Sequence, residues 1–227
     1  MSVASHLSIG PGEYDRRIRT FIPRYREMLR AASKPLNLLP QRQLKILDLG
    51  IGTGALAACC IKITPNAKIY GLDSDPIMLE VAARRLKAAG AKSCTLTVGN
   101  FLDSPFPSCN VVTAALALHH VKTRQKKQRL YDRCFSALRP KGLLITADCF
   151  PPSTPLLAQQ AKEDWILHMS QVYTPRRAHY YLSAWAREDT YFPLTAELEM
   201  IGQAGFKADV IWRNGIFGVI VAKKPVK

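Results

Sequence analysis

From Lys45 onward, short apolar runs alternate with stretches whose apolar residues recur every three to four positions. That alternation predicts an α/β protein with a parallel sheet covered by helices on both faces. Strands are expected at Lys45–Leu49, Lys68–Leu72, Cys94–Val98, Val111–Ala117 and Leu143–Ala147. The fourth is so uniformly apolar that both of its faces must be buried. Helices are expected between them at Leu56–Ile63, Pro76–Ala89 and Gln128–Leu138. The second of these carries Met78, Val81, Ala82, Leu86 and Ala89 on one face, with Pro76 in its first turn and Gly90 at its end. From Asp148 to Leu194 the rhythm fails, and the stretch reads as irregular. A last helix capped by Thr195 runs to Gly205. Beyond it, Lys207–Arg213, Asn214-Gly215 and Ile216–Ala222 predict a hairpin, because Asn-Gly readily takes the left-handed torsions of a two-residue turn. The expected fold is a doubly wound sheet, mostly parallel, with an antiparallel C-terminal hairpin strand.

Ahead of the first strand, Ile18, Ile22, Tyr25 and Leu29 share one helical face ringed by arginines, and Pro23 must kink or restart that helix. Residues 1–44 therefore predict an N-terminal helical cap. Residues 45–227 predict the main domain, with 150–194 as an insertion in it. The 227 residues are 48% hydrophobic and 22% charged, values of a globular chain that exclude wholesale disorder. No apolar run reaches bilayer length, and the start lacks the basic-then-apolar layout of a secretory signal. Six scattered cysteines form no C-x-x-C and have no H-x₃₋₅-H partner, so no metal site is expected. The expectation is a reduced, cytoplasmic monomer or homodimer without a membrane partner. Lys+Arg 32 against Asp+Glu 17 gives a net charge of +15, a field that favours acidic partners, nucleic acid among them.

Candidate chemistry centres on Asp48-Leu49-Gly50-Ile51-Gly52-Thr53-Gly54-Ala55. Three glycines between a buried strand and a helix let a ligand approach the backbone and the helix N-terminus. The spacing also satisfies the dinucleotide pattern of NAD or FAD sites. Asp48 argues against a pyrophosphate there, since a buried carboxylate suits a cationic ligand better.

With these features the chain resembles the class I, Rossmann-like, seven-stranded S-adenosylmethionine (SAM)-dependent methyltransferases. Asp48 to Gly54 resembles that family's first motif. Gly71-Leu72-Asp73 resembles the strand end where the family keeps an acidic residue for the ribose hydroxyls, with Ser74 beside it, while Asp75 is left to cap the following helix. Gly99-Asn100-Phe101-Leu102-Asp103 resembles the third motif, with Asn100 where an Asp commonly meets the adenine amino group and Phe101 against the ring. Leu116 to Val121 resembles the fourth, and Leu138-Arg139-Pro140-Lys141-Gly142 the turn before strand five, with Lys141 in place of a usual Gly. The resemblance implies SAM as cofactor, S-adenosylhomocysteine as its product, and Asp48, Gly50, Gly52, Gly54, Asp73, Ser74, Asn100, Phe101 and Leu116 as its contacts. By analogy with a subset of small members, the N-terminal Tyr-Asp…Ile-Pro…Tyr segment either closes over the site through Tyr14, Arg19 and Tyr25 or is an amphipathic helix on the core.

Methyl transfer to oxygen or nitrogen needs alignment and often a base. His119 and His120 are the catalytic candidates, because imidazole titrates near neutrality and both stand at the end of strand four. Asp148 either orients one of them or caps the next segment. The insertion is rich in aromatics, and Trp165, Tyr181 and Trp185, with Tyr25, are the candidate acceptor contacts of a lid or else a small satellite core. Two acceptor classes stay open. One is a small molecule enclosed by the insertion. The other is RNA, held on Arg16, Arg17, Arg24, Arg26, Lys122, Arg124, Lys126, Lys127 and Arg129.

Overall fold

The computed structural model describes residues 13–40 and 43–226. Its apolar runs assemble into one sheet of β1 (Lys45–Leu49), β2 (Lys68–Asp73), β3 (Ser93–Val98), β4 (Cys109–Ala115), β5 (Leu138–Cys149), β6 (Lys207–Asn214) and β7 (Phe217–Lys223). The order is β3-β2-β1-β4-β5-β7-β6. β1 to β5 pair in parallel, and β7 runs antiparallel to both β5 and β6. β1 lies between β2 and β4, so the two crossovers leave it in opposite directions and open a crevice at the carboxyl ends of the strands.

The helices are α1 (Tyr14–Phe21), α2 (Tyr25–Ser33), α3 (Ala55–Ile63), α4 (Pro76–Ala88), α5 (Arg124–Ala137), α6 (Pro155–Met169), α7 (Pro175–Glu188) and α8 (Leu194–Gln203). Alternate strand residues serve opposite faces, as a pleat requires. Ile46, Ile69, Val111, Ile145 and Val219 pack in one cluster with Phe21, Met28 and Trp165. Leu47, Leu49, Val112, Leu144 and Ile220 pack in the other with Leu130, Tyr131 and Met200.

Several boundaries differ from expectation for identifiable reasons. The fourth strand spans Cys109–Ala115 and stops before Leu116, whose φ of +52° ends the extended conformation. The helix expected from Gln128 begins at Arg124, because Thr123 caps it by accepting from Lys126 N. The last helix begins at Leu194 rather than after a Thr195 cap, with Pro193 at the cap position. The stretch from Asp148 to Leu194 is mostly two helices. α6 buries Ala161, Trp165 and Met169 but exposes Leu156, Leu157 and Leu167, so apolar residues surround it and no single stripe stands out. Pro155 after Thr154 and Pro175 after Thr174 were the available helix-start signals. At Pro23 the chain restarts: α1 ends at Phe21 and α2 follows Arg24, which has φ of +53°.

Candidate active site

A cleft of about 370 Å³ lies over the carboxyl ends of β1, β2 and β4. Its floor is the glycine turn. Gly50 has φ of +63°, and a Cβ there would come within 2.6 Å of the Ala117 Cβ. Gly52 has φ of +54°, and a Cβ there would meet only the Gly50 carbonyl oxygen, at 3.9 Å. Gly54 does not line the cleft. Its hydrogen faces Ala82 of α4, where a Cβ would sit 3.3 Å from the backbone, so its role is helix packing. Asp73 holds the turn in shape, accepting from Gly52 N at 2.7 Å and from Asp75 N at 2.9 Å. Asp75 in turn caps α4 through Ile77 N.

Asp48 and Asp73 are both buried and both face the cleft. Burial pushes the Asp48 carboxyl up to about 7, against the hydrogen bond it accepts from Thr113 at 2.8 Å and with help from the negative charge of Asp73. Burial raises Asp73 as well, with the two backbone N–H groups opposing. The folded Asp48 carboxyl thus keeps its proton well above the ordinary aspartate value of 3.8, so the stability of the ligand-free protein falls as pH rises from that value through about 7. A cationic ligand in the cleft reverses the preference and expels the proton. Binding of SAM near pH 6 is therefore expected to release protons, read as a dependence of calorimetric heat on the buffer's ionisation enthalpy. Asp48→Asn should abolish that release, and a wild-type heat independent of buffer would refute it.

Ser74, Asn100, Phe101, Leu116, Tyr14 and Tyr25 also line the cleft. The Asn100 carbonyl already accepts from Leu102 N at 2.9 Å, leaving its amide and one lone pair for a ligand. Tyr25, expected at the acceptor, lines this first cleft instead. Arg19 lies on the exposed side of α1 and lines neither cavity. A different pair fastens α1 down: Asp15 forms an ion pair with Arg85 of α4, and both hydrogen-bond Thr53 of the glycine turn.

A second, apolar cavity of about 60 Å³ adjoins the first. Trp165 and Trp185 form its wall, while Tyr181 stacks behind Trp185 at 5.8 Å and does not line it. At its polar end His119 Nδ1 lies 2.6 Å from Asp148, and the same carboxylate accepts from the Leu118 and His119 backbone N–H groups. Asp148 therefore orients His119. His119 Nε2 faces Asp189 at 3.8 Å, His120 Nδ1 meets Asp189 at 2.9 Å, and Tyr191 donates to Asp189 at 2.7 Å. Burial disfavours charge on His119, but the two aspartates outweigh it and raise its pKa, while His119 holds Asp148 low against the same burial.

The methyltransferase-domain family matches residues 46–142, the span from β1 to the start of β5 that builds most of the first cleft. Residues 46–142 thus carry the methyltransferase domain of that family. It is 34% identical over 112 residues to a demethylmenaquinone methyltransferase of Thermotoga maritima, covering 48% of this chain and 45% of that one. It is 25% identical over 225 residues to a carboxy-S-adenosyl-L-methionine synthase of Campylobacter hominis, covering 93% and 90%. Over the first curated relatives the match spans about half their length. An O-methyltransferase family 2 protein of Planctomyces limnophilus, solved with apigenin, superposes with a TM-score of 0.68 at 21% identity over 99% of this chain and 62% of that one.

SAM, the cofactor of this methyltransferase family, fits the cleft on grounds internal to the chain. Two buried carboxylates face it with only a hydroxyl and backbone N–H groups as hydrogen-bond partners, and Gly52, which lines it, has no side chain to fill it. Asp73, Asn100 and Phe101 would hold the nucleoside, and Asp48 would face its positive charge. Sequence reading missed Asp189, which sits in the stretch it took as irregular, and Asp15 with Arg85, whose partnership spans 70 positions. It misassigned Lys127, whose ammonium is buried against Glu197 and unavailable to a phosphate.

Proposed function

We propose that this methyltransferase transfers a methyl group from SAM to an oxygen or nitrogen of a small-molecule acceptor whose reacting end enters the aromatic chamber. One observation carries the reading: Tyr14, Leu116 and His120 line both cavities, so a donor in one and an acceptor in the other meet at those side chains. Bound SAM supplies a methyl group on a positively charged sulfur. The chain does the rest by position. Tyr14 and Tyr25 cover the cleft, Trp165 and Trp185 orient an apolar acceptor, and residues 150–194 act as its lid. His120, oriented by Asp189, takes the proton of the acceptor's hydroxyl or amine, and His119, gripped by Asp148, keeps that pair in register.

The strained Leu116 backbone supports this reading too, since a residue with φ of +52° at the junction of two cavities is a cost the fold bears at a working surface. The RNA alternative loses support, because Lys127 is buried against Glu197 and Arg124 pairs with Glu199. The near full-length likeness to a carboxy-S-adenosyl-L-methionine synthase supports a second reading, in which the product is a modified cofactor.

The test is incubation with methyl-labelled SAM and a metabolite extract, with bulk tRNA in parallel. Label in a small molecule supports the first reading, label in tRNA overturns it, and an altered cofactor mass without labelled acceptor favours the second. With the acceptor in hand, His120→Gln should lower kcat by about 10²–10⁴-fold with an unchanged SAM Kd, the range of a lost general base. A variant within threefold of wild-type kcat would remove His120 from the mechanism.

A further inference from the structure

We propose that His119, His120 and Asp189 form a binding site for one divalent transition-metal ion at the polar end of the chamber. These are the one group of three His, Cys, Asp or Glu side chains, among the described residues, whose ligand atoms lie within 4.8 Å of one another. Two imidazoles and a carboxylate that leave coordination positions open are a donor set for Zn²⁺, Mn²⁺, Fe²⁺ or Co²⁺ rather than Ca²⁺ or Mg²⁺.

Three further features fit a metal site. The outer partners that orient metal ligands are in place: Asp148 holds His119 through Nδ1 at 2.6 Å, leaving Nε2 toward Asp189, and Tyr191 donates to Asp189 at 2.7 Å. The charge also calls for a cation. Asp148 and Asp189 are both buried and both stand against the two imidazoles, a concentration of negative charge that suits a dication. Finally, all three ligands line the aromatic chamber, so open positions on the ion would face whatever occupies it. An acceptor hydroxyl bound to the ion would lose its proton more readily, so that the metal would take the place of His120 as the group that activates the acceptor. The proposal relies on the methyltransferase reading only for what fills the chamber.

The experiment is titration of chelator-treated full-length protein with Co²⁺ alone, read by calorimetry and visible absorption, with S-adenosylhomocysteine binding measured on every sample as a control for folding. One equivalent at micromolar Kd or tighter, with ligand-field absorption, is expected. His120→Gln and Asp189→Asn should each weaken it at least 30-fold. Asp148→Asn should weaken it about 10–100-fold through the orientation of His119. Absence of saturable binding of Co²⁺, Zn²⁺ or Mn²⁺ below about 1 mM overturns the proposal. Binding that survives both His120→Gln and Asp189→Asn overturns it as well. Loss of S-adenosylhomocysteine binding in the wild type would instead strike the methyltransferase reading, so the two failures are distinguishable.

Discussion

Replacing Lys127 with Met is expected to lower the unfolding temperature by roughly 10 °C, from a loss of about 3–5 kcal/mol. The reason is burial. Lys127 is 2% exposed and Glu197 0%; they form an ion pair, and Glu197 also accepts from the Tyr131 hydroxyl. Removing the ammonium leaves a carboxylate with no countercharge in a dry interior. Burial already raises the Glu197 pKa against the pull of Lys127, so without Lys127 it rises further. A folded pKa above the unfolded value contributes stability at low pH that is lost as pH rises, so the deficit of Lys127→Met should be larger at pH 8 than at pH 5. Lys127→Met with Glu197→Gln removes both charges and keeps an acceptor for Tyr131, and should recover most of the loss. Thermal melts of the three proteins at both pH values check this. A single variant as stable as wild type would mean that the pair contributes nothing net.

Gly50→Ala is expected to weaken SAM binding by about a hundredfold or more while the sheet still folds. The methyl group would lie 2.6 Å from the Ala117 Cβ and 3.6 Å from the Phe101 ring, at a φ of +63° that costs an L-residue roughly 1–2 kcal/mol. The turn can relieve the clash only by moving into the cleft or by pushing the end of β4 aside, and either displaces groups that face the ligand. Gly50→Ala with Ala117→Gly removes the contact but not the torsional strain, so it should recover part of the affinity. Calorimetry with S-adenosylhomocysteine, beside circular dichroism to verify folding, measures both. Wild-type affinity in Gly50→Ala would mean that the turn does not form the cofactor floor.

Some of this was readable along the chain and some was not. The five parallel strands and the Asn-Gly hairpin follow from apolar runs and turn residues, and the paired strands stand within a few positions of expectation. The glycine turn, Asp48, Asp73 and Asn100 were readable because they lie in short stretches whose spacing carries the chemistry. Arg19, Gly54 and Tyr181 were assigned to ligands but line neither cavity. Sequence gives a residue's position on an element but not the distance from that element to a cavity. Helix α6 was missed because an apolar surface all around a helix erases the periodic stripe, whereas α7 does carry one in Ala178, Tyr181, Leu182 and Trp185, a helical spacing that was there to be read.

The sequence by itself determined the strands of the sheet and the glycine floor of the cleft, since apolar periodicity and glycine torsions are local properties of a few consecutive residues. Only the tertiary structure decided that Asp148 orients His119, that Asp189 joins both histidines and that Lys127 is buried. Those partners stand 29 to 70 positions apart, and their energies depend on burial that exists only once the layers have packed.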